Sequence, residues 1–368
     1  MELRRGYDQS LLLMAIALTC LGVVMVFSSS SIMAVREHGD SLFFLKRQGM
    51  YALAGLSLMA VLMHFNYQYL RKLAVPILLL CIVMLVLVLI PGIGAKVGGA
   101  SRWIRVAGFS LQPAEFAKLG LIIFMAHSLA RKQDKMKSFK LGFIPYMGLL
   151  AILLGLMLAQ PDLGSALTLA LVAMVMMFIA GTRLVYIAGL GILALPFLYF
   201  MVMNVDYRRR RILAFLNPWE DPSNTGFQII QSWIAFGSGG PVGNGLGESK
   251  QKLFFLPEAH TDFIFAVIGE ELGFIGVLVI ATMFLFLVLR GFRAATHAPD
   301  NFGSYLAFGM SLLLGIEAFV NMAVVMGLVP TKGMALPFLS YGGSSLMASL
   351  MAVGIILSVS SKTPGEVR

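Results

Sequence analysis

The chain has 368 residues, of which 58% are hydrophobic and only 12% charged, against about 25% charged residues in an average soluble domain. That composition excludes a soluble globular enzyme and a disordered chain. The apolar residues fall in runs long enough to cross a bilayer, about 20 residues each, so 1–368 reads as one all-α, polytopic membrane domain. The net charge of +10 sits in short loops between apolar runs. There it meets lipid head groups, and it is no nucleic-acid signature.

In chain order, about ten spans are expected, at roughly 10–29, 48–65, 73–91, 113–130, 141–160, 165–181, 184–203, 262–289, 304–327 and 343–360. Arg4 and Arg5 precede the first span. Its apolar core is longer than the 7–15 residues of a signal-peptide h-region, which favours an uncleaved first helix. Cys20 and Cys81 both lie inside apolar runs and are expected to pack rather than pair. No metal-ligand spacing links the five histidines.

An even number of spans puts both termini on one side. The dense short loop with Arg131, Lys132, Lys135, Lys137 and Lys140 favours cytoplasmic termini by the positive-inside rule. Arg102, Arg105, Arg208–Arg211, Lys250, Lys252 and Lys332 then lie outside, where positive charge is normally depleted. An anionic substrate is the natural reason. The segment 204–261 becomes one large extracytoplasmic loop. Its run Gly243-Asn244-Gly245-Leu246-Gly247 lacks the phosphate-loop pattern and a preceding strand. It reads as a flexible or re-entrant stretch, tolerated at membrane depth only where protein or water covers it.

Ionisable residues in or near spans are functional candidates, and they gather in four places. The first is Leu256-Pro257-Glu258-Ala259-His260-Thr261-Asp262, continuing to Gly269-Glu270-Glu271-Leu272-Gly273. Asp262 to Leu289, about 28 residues or about 42 Å of helix, exceeds the ~30 Å hydrocarbon core. Asp262 therefore sits at or just beyond the outer lipid boundary, with Glu270 about two turns deeper. Asp262 suits a helix N-cap, but a cap does not explain the crowding of Glu258, His260, Glu270 and Glu271. That crowding resembles a polar cavity open to the outside.

The second place is Arg102-Trp103 with Gln112-Pro113-Ala114-Glu115-Phe116-Ala117-Lys118. Pro113 suits a first helical turn. Glu115 and Lys118, three apart, can pair with each other, and a pair beside a cavity can also bind. Trp103 serves equally as an interfacial anchor. The third is Gln160-Pro161-Asp162-Leu163-Gly164, where Asp162 reads as a turn or cap residue. The fourth is Pro330–Ser345, too rich in Pro and Gly for a regular helix, and so a packed outside loop.

On these five stretches the chain resembles the SEDS family of cell-wall glycosyltransferases, the FtsW and RodA proteins, over nearly its whole length. Pro330-Thr331-Lys332-Gly333 is more similar to the division branch than to the elongation branch. Glu317, before Ala318-Phe319-Val320-Asn321, departs from the glutamine expected there and adds a carboxylate within the membrane. The resemblance implies ten helices, cytoplasmic termini and polymerisation of lipid II on the outer face of the cytoplasmic membrane. It also implies a class B penicillin-binding protein and other divisome proteins as partners, and no cofactor. A divalent-cation requirement is not readable.

Asp262 matches the family's essential aspartate and is the candidate base for the acceptor sugar hydroxyl. A free aspartate, with a pKa near ~3.9, would take that proton late. Arg208–Arg211, Lys250, Lys252 and Lys332 are candidates to hold the pyrophosphates, with Arg208, Arg210, Lys250 and Lys332 foremost. Arg102, Trp103, Glu115, Lys118 and Glu270 complete the candidate substrate-binding set. Glu270 is expected to shape the cavity or pair with Lys332 or Lys118. The rivals are a lipid II flippase or another transporter, and a non-catalytic scaffold of the division machinery.

Overall fold

The computed structural model describes residues 6–97, 100–106, 109–253, 255–331 and 333–362. A helix occupies each expected span: α1 (Gln9–His38), α2 (Phe43–His64), α3 (Gln68–Leu89), α4 (Pro113–Arg131), α5 (Ile144–Ala159), α6 (Leu163–Ile179), α7 (Leu184–Met203), α10 (Ile264–Thr296), α11 (Asn301–Val325) and α12 (Gly343–Ser360). Eight of them are long and apolar enough to cross a membrane, α5 together with the π-helical turn Phe139–Phe143 before it. The apolar α6 is shorter, at 17 residues, and α2 carries Lys46 and Arg47 near its start. The molecule is a multi-pass membrane protein.

α4, α11 and α12 are enclosed over most of their length and form the centre, while α1, α3, α5 and α10 leave long apolar faces outward. α7 has no buried residue among those described. Cys20 is exposed and Cys81 buried, and both are free thiols. Pro113 takes the first turn of α4 and Asp162 caps α6 by accepting from the Ser165 amide at 3.0 Å, both as the sequence suggests.

Three features depart from the expectation. Between α3 and α4 the chain forms an antiparallel sheet of β1 (Gly94–Val97), β2 (Ala100–Val106) and β3 (Phe109–Leu111), in that order. Its short strands fall between apolar runs, where hydropathy carries little signal. The segment 204–261 is not a plain loop, since it holds α8 (Asp206–Leu216) and α9 (Phe227–Gly239). The eighth expected span is not one straight helix, and it ends at Thr296, beyond Arg290.

α10 breaks at Gly273, where φ is 66° and ψ −168°. A break frees carbonyls before it and amides after it, and these must find partners inside a membrane protein. The glycine-rich loop supplies both. Asn244 and Gly245 donate to the carbonyls of Glu270 and Glu271, each at 3.0 Å, while Phe274 and Ile275 donate to those of Gly240 and Pro241 at 2.9 and 3.1 Å. The approach leaves no room for a side chain. A Cβ on Gly243, itself at φ +85°, would meet the Glu271 carbonyl oxygen at 2.2 Å. The loop that could pass for a nucleotide loop is thus the backbone complement of a broken helix.

Candidate active site

The break sets a short helical piece, Ile264–Leu272, behind the turn carrying Asp262. Glu258 opens that turn at φ 57°, a left-handed conformation that a glutamate adopts at some expense in strain. Its carbonyl accepts from Thr261 and Phe263 at 3.2 and 3.1 Å. The N-cap of α10 is Phe263, and no side chain caps it. The capping role available to Asp262 is therefore not used. Helix α10 starts two residues later, beyond the reach of a cap bond.

Among the described residues, no hydrogen bond reaches the Asp262 carboxylate. Asp262 is half-buried. Burial, reinforced by the like charge of Glu258, pushes its pKa up to about 7, while Arg211 and Arg102 oppose the rise. The free-aspartate value expected from sequence is thus corrected upward, because enclosure disfavours the charged form. Beside it, His260 is buried against Phe44 and Tyr341, with ring centroids 4.9 and 5.7 Å away. Burial holds its pKa below the usual histidine range.

The two arginines are anchored from neighbouring elements. Arg102, on β2, donates from Nε to the Gln160 carbonyl at 3.3 Å and from its terminal nitrogen to that of Pro161. Arg211, on α8, donates to the Thr331 carbonyl at 3.1 Å. Their backbone bonds anchor two cations whose charges act on the carboxylate, and Arg suits bidentate phosphate contacts. Trp103 is half-buried on β2, next to Arg102 and so on the opposite face of the strand.

The other candidates scatter. Lys118 is buried in α4 and held by Glu115 at 2.9 Å and by Glu317. The predicted pair with Glu115 is present and the one with Glu270 is not, because the added carboxylate of α11 takes the second side of the ammonium. Glu270 instead accepts from the amides of Lys250 and Gln251 at 3.0 and 3.2 Å and from the Ser249 hydroxyl. It shapes the segment 249–251 by hydrogen bonds. Lys252 is buried, donating to Glu271 and to the Gly247 carbonyl at 3.0 and 2.6 Å, which commits its charge to the fold. Lys250 is exposed. Arg210 is exposed and lines a polar groove of about 500 Å³ with Glu220 and Asp221. Arg208 lies on α8, its side chain outside those described, and Lys332 lies outside the described residues. Sequence reasoning ranked Arg208 and Arg210 above Arg211, since a run of four arginines carries no sign of which one a helix turns toward the site.

The family model of the cell cycle proteins FtsW, RodA and SpoVE matches residues 8–364. The chain belongs to the FtsW/RodA/SpoVE family. It is 66% identical to the probable peptidoglycan glycosyltransferase FtsW of Geobacter metallireducens, over 98% of this chain and 96% of that one. It is 45% identical to the stage V sporulation protein E of Bacillus subtilis, over 96% of each. Among solved structures, it superposes on a chain of a peptidoglycan synthase complex that coordinates polymerization and crosslinking, with TM-score 0.79 and 31% identity, covering 96% of this chain and 97% of that one. The rod shape determining protein RodA of Thermus thermophilus matches with TM-score 0.72 and 28% identity over 98% of both chains. Asp262 lies inside the residues that the family model matches.

Proposed function

We propose that the chain is a peptidoglycan glycosyltransferase that polymerises lipid II at the outer face of the cytoplasmic membrane, in the septal wall of dividing cells. The carrying observation is a carboxylate that takes no hydrogen bond among the described residues, with pKa about 7, under the charges of two anchored arginines just before α10. In this reading the chain crosses the membrane ten times, with both termini cytoplasmic and 204–261 outside.

Asp262 takes the proton of the acceptor's sugar 4-hydroxyl as that oxygen forms its bond to the donor's anomeric carbon. The bond from that carbon to the pyrophosphate oxygen breaks, and undecaprenyl pyrophosphate leaves with the electron pair. A base with pKa near the working pH is well matched to the transfer. Pyrophosphate needs no proton to leave, so a single carboxylate suffices, unlike the paired carboxylates of glycoside hydrolysis. Arg211 and Arg102 stabilise the developing negative charge from fixed positions. A class B penicillin-binding protein supplies the transpeptidase, consistent with the synthase complex that this chain resembles.

The test is the purified chain with its partner transpeptidase and lipid II in detergent. Glycan strands are the expected product. A flippase would give none, since detergent has no two sides, and that outcome would overturn the reading.

A further inference from the structure

The backbone of the catalytic turn is held in an unusual way. Three consecutive carbonyls of the turn accept hydrogen bonds from one stretch of the chain, 321–341. The His260 carbonyl accepts from the Tyr341 amide at 2.9 Å. That of Thr261 accepts from the Ser340 hydroxyl at 2.6 Å, and that of Asp262 from the Asn321 amide nitrogen at 3.0 Å. The same Asn321 nitrogen donates to the Met334 carbonyl at 2.6 Å. One side-chain amide therefore ties the base's own peptide to the loop that passes over it.

Asn321 is 1% exposed, and its Oδ1 has no partner among the described residues. Its orientation is set by the NH₂ group alone, for a flipped amide would set its oxygen against two carbonyls. Ser340 is equally committed, accepting from the Leu336 amide at 2.7 Å while donating to Thr261. Its own carbonyl takes the Gln48 amide of α2 at 3.2 Å. The loop then closes on the carboxylate. A Cβ on Gly333 would stand 2.9 Å from Oδ2 of Asp262 and, its chain neighbours aside, within 4 Å of no other described residue.

We propose that Asn321 and Ser340 are positioning residues for the glycosyl transfer, clamping the 260–262 backbone so that the Asp262 carboxylate is fixed beneath Gly333. This rests on Asp262 being the base. None of the three bonds touches the carboxylate, so removing one takes no hydrogen-bond partner from it but loosens its place and its enclosure. Misplacement of a reacting group by about 1 Å can lower a rate by about 10²-fold.

The test measures lipid II polymerisation by the full chain with its transpeptidase partner, as kcat and KM across pH 5–9. Asn321→Ala and Ser340→Ala should lower kcat by about tenfold or more while KM for lipid II stays within about threefold, since ground-state binding is untouched. Both should also move the acid limb of the kcat profile to lower pH, as water reaches a carboxylate whose neighbours Glu258, Arg211 and Arg102 are unchanged. Gly333→Ala meets Asp262 alone among the described residues beyond its chain neighbours and should lower kcat with normal thermal stability, so it carries the test if Asn321→Ala does not fold. Folded variants with wild-type kcat and an unmoved acid limb would overturn the clamp. So would a loss of activity shared by kcat and KM with the limb unmoved, the mark of a merely structural role. An inactive wild-type complex would instead remove the functional reading beneath it.

Discussion

The start of α10, which carries Glu270 and Glu271, and the whole of α7, which carries no charged residue, are held in opposite ways. Around the α10 break nearly every polar group is engaged: the glycine-rich loop fills the freed backbone positions, Glu270 gathers 249–251, and Glu271 binds Lys252 and Ser28. α7 touches α6, α8 and, through Tyr186 near its start, Phe139 and Phe143, and none of its described residues is buried. Its stability comes from the surrounding lipid, because an α-helix satisfies its backbone internally and its side chains are as apolar as the bilayer. Dense polar contacts gather where charges are buried, as at Glu270, Glu271 and Lys252.

That contrast predicts a steep gradient of mutational effect. The largest belongs to Asp262→Asn, which should lower polymerisation by ~10²-fold or more, the contribution of a general base. The same variant should be more heat-stable. The folded carboxyl has its pKa raised from 3.8 to about 7, so the native state binds the proton more tightly than the unfolded chain. Stability is then lost as pH rises from about 4 through 7. Thermal unfolding in detergent at pH 8 should show Asp262→Asn melting above wild type, with the gain shrinking below pH 7. Near wild-type glycan synthesis by this variant would dissolve the comparison. Wild-type activity should itself rise with pH through about 7, as the base becomes ionised.

Next comes Lys118→Met, which leaves Glu115 and Glu317 facing each other in the buried centre. Breaking a buried pair by removing one partner costs about 3–5 kcal/mol. Unfolding measurements should show that loss and partial recovery on adding Glu317→Gln. An unchanged melting temperature would mean that water or lipid reaches this cluster. Gly243→Ala should cost about 1–3 kcal/mol, from a strained backbone and a Cβ driven onto the Glu271 carbonyl. Limited proteolysis should find the 240–252 segment cut faster in that variant. The smallest effect is expected for Ile192→Ala on α7, where the side chain is 69% exposed. Its melting temperature in detergent should match wild type within the ±0.5 kcal/mol typical of surface changes. A large loss there would show that α7 packs against something.

Part of this was legible from residue order alone. Spans are written in hydropathy because lipid demands about 20 apolar residues whatever the neighbours are, so all ten runs reappear as helices. Asp162 and Pro113 were readable because capping and first-turn preferences are local. The motifs around Asp262 and the loop before Ser345 were readable as polar residues that lipid should exclude.

Only the tertiary structure decided which charges act on Asp262 and which serve the fold. Lys252 and Lys118 look like substrate-binding cations in the sequence, but each is consumed by a carboxylate from a distant helix, Glu271 and Glu317. Arg211 and not Arg210 stands by Asp262 because of the rotation of α8, which depends on what it packs against. The break at Gly273 and the raised pKa of Asp262 share this origin. Both follow from how closely remote segments approach, the 240–245 loop in one case and the enclosing walls in the other. Local propensity contains no term for that distance, so the sequence determined the elements and their sites, and packing alone determined the chemistry of each charge.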